Sequence, residues 1–223
     1  MFESEKNLLV KLCQKSNSAR QGALEAELTG RGVHFENWDD MALVVPSAAE
    51  NVIVLCAHFD AVRNSFGYND NGMALVTALK LLGELPPCIE FVFTNGEEPG
   101  AVGARYYLEH CAKDIRGCIN LDVVGCFDQV YLDTMNCSAA ASLTDCKQGE
   151  MPMNDACAFA SEGIPSVCFS SGPRGTDFDG GIMEIWSTIH NQCRDNDFSM
   201  LNFEMIQKVS AEVKKVVNLL DAA

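Results

Sequence analysis

Positive charge is scarce in this sequence. Sixteen Lys and Arg stand against 31 Asp and Glu, a formal net charge of −15 over 223 residues. That balance argues against nucleic acid or an anionic membrane surface as a partner, because both are held mainly by Lys and Arg. Long apolar runs are missing too. No stretch approaches the roughly 18 residues a membrane-crossing helix needs, so no membrane partner is expected. The N-terminal stretch has neither the basic start nor the small-residue cleavage site of a signal peptide. Eleven cysteines are present, an odd number with no Cys-x-x-Cys pair, which argues against a disulfide framework or a zinc ribbon. Cys56, Cys88, Cys118 and Cys168 fall in or beside apolar, strand-like runs, where a reduced thiol behaves as a small hydrophobe. Reduced cysteines and the missing export signal together predict a cytoplasmic location. Repeats, low-complexity tracts and Pro-, Gly- or Ser-rich linkers are also lacking, and the length suits one domain.

Apolar patterning is plentiful. Leu8, Leu9, Leu12 and Cys13 give residues 4–15 the spacing of an amphipathic helix. Segments 32–37 and 41–45 read as a hairpin around the turn residues 37–40. The continuously apolar Asn51–Ala57 predicts a central strand. Beyond it the chain alternates: a loop to Asp70, a helix around 72–83, a strand at 89–94, a helix around 101–112 and a strand at 117–123. A short strand at 129–133, a helix near 154–162, a strand at 166–170 and a long amphipathic helix over about 199–221 complete the pattern. Alternation of this kind implies an α/β sandwich. The Gly-rich stretch 171–181 is expected to be a loop over the site, and Arg174 within it is a candidate partner for a substrate carboxylate.

Six side chains capable of binding metal or moving protons follow one another: His58, Asp70, Glu97 with Glu98, Asp122 and His190. Several fall where strands hand over to loops, the usual place for sites in open α/β sheets. Two-metal hydrolysis needs a shared carboxylate, further ligands for each ion and a separate base beside the water. His58 ends a buried strand, and Asp60 two residues on can accept from the ring nitrogen that does not face metal, fixing the tautomer. Asp70, in Gly67–Gly72, could cap the helix that follows or present both carboxylate oxygens to a pair of ions. Glu97 and Glu98 share a tight turn, so one can bind metal while the other stands over the water. Asp122 sits in an apolar run where an unpaired charge costs several kcal/mol. His34 and His110 have no acidic companions at ligand spacing and are expected to be structural or exposed.

This order, with Asn95-Gly-Glu-Glu98, Asn120-Leu-Asp122-Val-Val-Gly125 and a late His190, resembles the M28 family of zinc-dependent aminopeptidases over residues 51–197. Gly163-Ile-Pro165 before a strand, and Asp195 and Asp197 after His190, are similar to that family's pattern as well. The resemblance implies one domain over 1–223, a three-layer α/β/α sandwich around a mixed, mostly parallel sheet, and two zinc ions. It implies Asp70 as the bridging ligand, with His58 and Asp122 on one ion and Glu98 and His190 on the other. Glu97 matches the general base acting on a metal-bridging water, and Asp60 joins it as a catalytic residue. The expected substrate is a peptide with a free N-terminus. The family's later Asp-His segment reads Asn154-Asp155-Ala156 here, leaving Asp155 as at most an outer partner. Two alternatives share the fold: a glutaminyl-cyclase-like zinc acyltransferase, which the retained His58 disfavours, and a catalytically inactive binding module, which the intact ligand set disfavours.

Overall fold

The computed structural model describes residues 2–174, 184–190 and 195–222. Two helices open it, α1 (Glu3–Leu12) and α2 (Asn17–Gly30). Strands β1 (Glu36–Trp38), β2 (Ala42–Val45) and β3 (Asn51–His58) follow, then α3 (Met73–Leu81), β4 (Ile89–Thr94), α4 (Val102–His110), β5 (Asp114–Leu121), β6 (Gln129–Asp133), β7 (Lys147–Gln148), α5 (Asp155–Ser161), β8 (Ser166–Gly172) and α6 (Glu204–Asp221).

The strands form one mixed sheet in the order β1-β2-β4-β3-β5-β8-β6-β7. Its four central strands, β4, β3, β5 and β8, run parallel. Antiparallel pairing adds β2 and β1 on one side and β6 on the other. Along β3, Ile53, Leu55 and Ala57 enter a core built with α1, α2, α3 and α6. Val52, Val54 and Cys56 enter the opposite core with Tyr107 of α4 and Phe159 of α5. Burial on both faces explains why β3 is continuously apolar, and the result is the expected α/β/α sandwich. The buried positions of α6, among them Met205, Val209, Val213, Val216 and Leu220, recur at helical spacing and close one outer layer.

Three local features differ from the sequence-based expectation. Residues 17–30, which carried no predicted element, form α2, capped by the Ser16 side chain accepting from Ala19 N–H. Its buried positions are only Arg20, Leu24 and Leu28, a narrow stripe that begins with a charged residue and therefore reads as solvated. Ser171 and Gly172 belong to β8 rather than to a loop, while 175–181 lie outside the described residues. Arg174, instead of facing the site, pairs with Asp128 (Nε to Oδ2, 3.0 Å).

Candidate metal centre

Parallel pairing aligns the ends of three strands on one rim. His58, the last residue of β3, pairs with Thr94, the last of β4, and β5 ends one residue before Asp122. His58 Nε2 lies 3.2 Å from Asp70 Oδ1 and 3.5 Å from Asp122 Oδ1. His190 Nε2 lies 3.6 Å from Asp70 Oδ2 and 3.2 Å from Glu98 Oε2. The chain thus has two triads, His58–Asp70–Asp122 and Asp70–Glu98–His190, each with its donor atoms within 4.8 Å of one another. Each uses a different oxygen of Asp70.

The donors suit a metal. A tetrahedral ion with N and O ligands at about 2.0–2.1 Å holds them about 3.3 Å apart, close to the spacings above. His58 Nε2 and Asp122 Oδ1 are also buried without a hydrogen-bond partner, a costly arrangement unless a cation lies between them. Asn120 does not relieve Asp122; its Nδ2 donates to Asn154 Oδ1 instead (3.2 Å).

Asp60 divides its oxygens differently from the simple imidazole–carboxylate expectation. The atom nearest His58 Nδ1 is the main-chain oxygen of Asp60 (3.0 Å), with its carboxylate at 3.5 Å. That carboxylate accepts the backbone N–H groups of Glu97 (3.1 Å) and Glu98 (3.3 Å), and so fixes the turn carrying both acids. Glu98 Oε1 accepts Val62 N–H (3.0 Å), leaving Oε2 toward His190. Glu97 Oε2 stands 3.9 Å from His58 Nε2.

Electrostatics follow from this crowding. Burial, with the carboxylates of Asp122, Asp155 and Asp70, raises Glu97 to about 9, although the His58 charge opposes it. Burial and then Asp70 raise Glu98 to about 8. Burial opposes a charge on His58, but the carboxylates of Asp122, Asp60 and Asp70 crowded around its ring outweigh it and hold its pKa well above the ordinary imidazole range. Without a cation, these groups keep protons at neutral pH that an ion would displace.

The residues flanking Asp70 were read from sequence only as context. Asn71 Nδ2 donates to Leu121 O (2.9 Å) and its Oδ1 accepts Val123 N–H (3.2 Å), bracketing Asp122. Asn69 Nδ2 donates to Thr188 Oγ1 (2.9 Å), two residues before His190, and its Oδ1 accepts Gly125 N–H (2.7 Å). Adjacent Asn residues thus tie the shared carboxylate to both of its partners. The Asn-Asp-Asn triplet was the available signal; capping chemistry concealed it. Asp155 lies fully buried behind the rim, accepting from Thr94 Oγ1 and, at 3.5 Å, from Cys56 Sγ, and burial raises it to about 6. His34 and His110 are exposed and belong to neither triad.

A cavity of about 90 Å³ opens beside Asp70, Glu97, Asp122 and His190. Val123, Met151, Met153, Ile185, Trp186 and Ile189 give it apolar walls.

The model of peptidase family M28 matches residues 41–180. The chain belongs to this family. The matched span stops short of His190, so that residue's place in an M28 site rests on geometry. Among relatives, a vacuolar membrane protease from Sclerotinia sclerotiorum is 41% identical over 81 residues, 33% of this chain and 8% of that protein. An aminopeptidase from Pseudomonas aeruginosa is 33% identical over 84 residues, 34% of this chain and 16% of that protein. The chain therefore spans only a small part of the relatives it matches. Among solved structures, a zinc aminopeptidase from Bacillus subtilis superposes with a TM-score of 0.63 at 20% identity, over 79% of this chain and 49% of that one. Porphyromonas gingivalis glutaminyl cyclase gives 0.71 at 18% identity, over 97% and 94%. At those identities the likeness establishes the fold.

These relatives overturn the cytoplasmic expectation. Proteins named vacuolar membrane proteases from several fungi are among the matches to this M28 chain. Cysteine usage and the missing export signal, on which that expectation rested, describe a stretch of domain size and do not fix a compartment, which is why they misled. Among the described residues no helix is long and apolar enough to cross a membrane.

Proposed function

We propose that this M28 chain is a zinc-dependent aminopeptidase domain, formed by residues 1–223, that removes N-terminal residues from peptides. The reading is carried by two donor triads that share Asp70, with Glu97 beside them at the mouth of an apolar cavity. Two zinc ions would be held by His58 with Asp122 and by Glu98 with His190, and Asp70 would serve both. When bound, such ions acidify water and polarise a carbonyl. Glu97, buried and with a raised proton affinity, is built to take the proton of the attacking water and return it to the leaving amine. Asp60 acts by holding the Glu97–Glu98 turn through two backbone N–H groups. The carboxylates lining the rim suit a free α-ammonium group, and the apolar walls suit the first side chain of the peptide.

Matched peptides with free and acetylated N-termini, incubated with zinc-loaded protein, test this reading by amino-acid release. Release from free N-termini alone is expected; equal release from both, or from neither, sinks it. One observation favours a second reading: the glutaminyl cyclase fold matches 97% of this chain and 94% of its own. A peptide beginning with glutamine separates the two. Loss of ammonia without release of a residue would support cyclisation.

A further inference from the structure

The stretch from Phe59 to Asp70 leaves β3 at His58 and returns to the rim at the shared carboxylate, and it is gripped from two sides. From one side come residues around the α1–α2 corner. Arg20, 1% exposed, donates through Nε to Phe59 O and through Nη1 to Phe66 O (2.5 Å). One guanidinium therefore joins the two ends of the excursion. Asn17 Oδ1 accepts Ala61 N–H (3.1 Å), and Cys13 Sγ reaches Gly67 O (3.4 Å). The approach leaves no room. A Cβ on Gly67, whose φ is +57°, would lie 2.3 Å from Asp70 O and 3.1 Å from Arg20 Nη1. A Cβ on Gly72 would lie 2.2 Å from Cys13 Sγ.

From the other side comes Asp195, also 1% exposed. Its Oδ1 accepts the N–H groups of Asn69 and Asp70, both at 3.2 Å, and its Oδ2 accepts from Ser65 Oγ (2.6 Å). Asn196 Oδ1 accepts Phe66 N–H (2.6 Å). A buried carboxylate on the N–H of Asp70 orients that peptide unit. Asp195 also follows His190 by five residues, so one segment supplies an imidazole and secures the main chain of the carboxylate facing it.

We infer that Arg20 and Asp195 are positioning residues for the metal centre: together they clamp the 59–70 stretch so that Asp70 meets His58 and His190 at ligand spacing. Neither side chain is among the donors of the triads. This assignment rests on the two-ion reading of the site, and it makes metal affinity depend on a helix that contributes no ligand. Removing partners that orient a ligand typically weakens metal binding by about 10–100-fold.

Zinc titration against a chromophoric chelator, using the whole chain, tests the inference without relying on peptide hydrolysis. Asp195→Asn and Arg20→Gln are each expected to weaken zinc binding by about 10–100-fold. Arg20→Lys, which keeps the charge but can span only one end of the excursion, should recover part of the loss. Circular dichroism of the metal-free proteins serves as the check on folding. Tyr107→Phe supplies the control: it removes a buried hydroxyl bonded to Glu90 in the opposite core (2.7 Å) and should leave zinc affinity unchanged. Zinc affinities within twofold of the unsubstituted chain overturn the inference. So does collapse of the native spectrum in both Asp195→Asn and Arg20→Gln, which would assign these residues to the fold instead. Failure of the unsubstituted chain to bind zinc would remove the two-ion reading itself, a result distinct from either.

Discussion

The two triads share Asp70 yet occupy different surroundings. His58, Asp70 and Asp122 are 1%, 4% and 8% exposed, and His58 and Asp122 stand at or just beyond the ends of parallel strands, where sheet hydrogen bonds set their spacing. The side chain of His190 is 40% exposed. It has a left-handed backbone (φ +52°) and lies two residues after Thr188, whose Oγ1 accepts from Asn69 Nδ2. The contrast teaches that a site of two similar donor sets can have one half fixed by the sheet and the other by loop-to-loop hydrogen bonds. Charge interactions also differ, because the buried half lies in a lower dielectric and faces less competition from water.

The largest expected effect tests what the halves have in common. Glu97→Gln keeps shape and removes the proposed base, so peptide turnover should fall by about 10²–10⁴-fold while bound zinc is retained. Loss of zinc together with activity would make Glu97 a ligand rather than a base. Separating the halves comes next. His58→Ala should cost more zinc affinity than His190→Ala, by over tenfold, and His190→Ala should keep one tightly held ion per chain; equal losses measured by zinc titration would erase the distinction.

A smaller effect concerns pH. Glu97 and Glu98 have folded pKa values raised to about 9 and about 8, against ordinary values near 4.5. The metal-free fold therefore binds more protons than the unfolded chain across that interval, and stability falls as pH rises through it. Thermal unfolding of chelator-treated protein should show a lower midpoint at pH 9 than at pH 5.5, and saturating zinc should flatten or reverse the slope. A metal-free midpoint that rises with pH would contradict the crowding described at the rim. The smallest effect probes the wall of the cavity near the exposed half. Trp186→Ala should raise KM for peptides with an apolar first residue by about fivefold, equivalent to about 1 kcal/mol of apolar contact, with little change in kcat. An unchanged KM would remove Trp186 from the substrate's path.

Legibility in the sequence followed the same divide. β3, β4 and β5 were readable because two-sided burial makes each largely apolar, and the acids at their ends stood out against that background. The α/β sandwich followed from the alternation of elements, and its three α/β/α layers from the family resemblance. α2 was not readable, since Arg20 looks like a solvated residue until Phe59 O and Phe66 O are placed beside it. The second role of Asp60 was equally hidden. His-x-Asp spacing suggests an imidazole partner, whereas only the fold brings the Glu97–Glu98 turn over that carboxylate. Sequence could not show which acid stands beside Arg174; the fold sets Asp128 there, 3.0 Å away at the surface.

Sequence alone determined the chemical inventory and its order: which carboxylates and imidazoles exist, and which of them end apolar strands, because burial and polarity are written locally in residue type. Tertiary structure decided the grouping. That Asp70 gives one oxygen to His58 and the other to His190, that Asn71 brackets Asp122 while Asn69 reaches Thr188, and that Arg20 and Asp195 hold the stretch in place are matters of distance. Distances between residues as far apart as 20 and 66, or 70 and 195, arise only when the sheet and its helices pack.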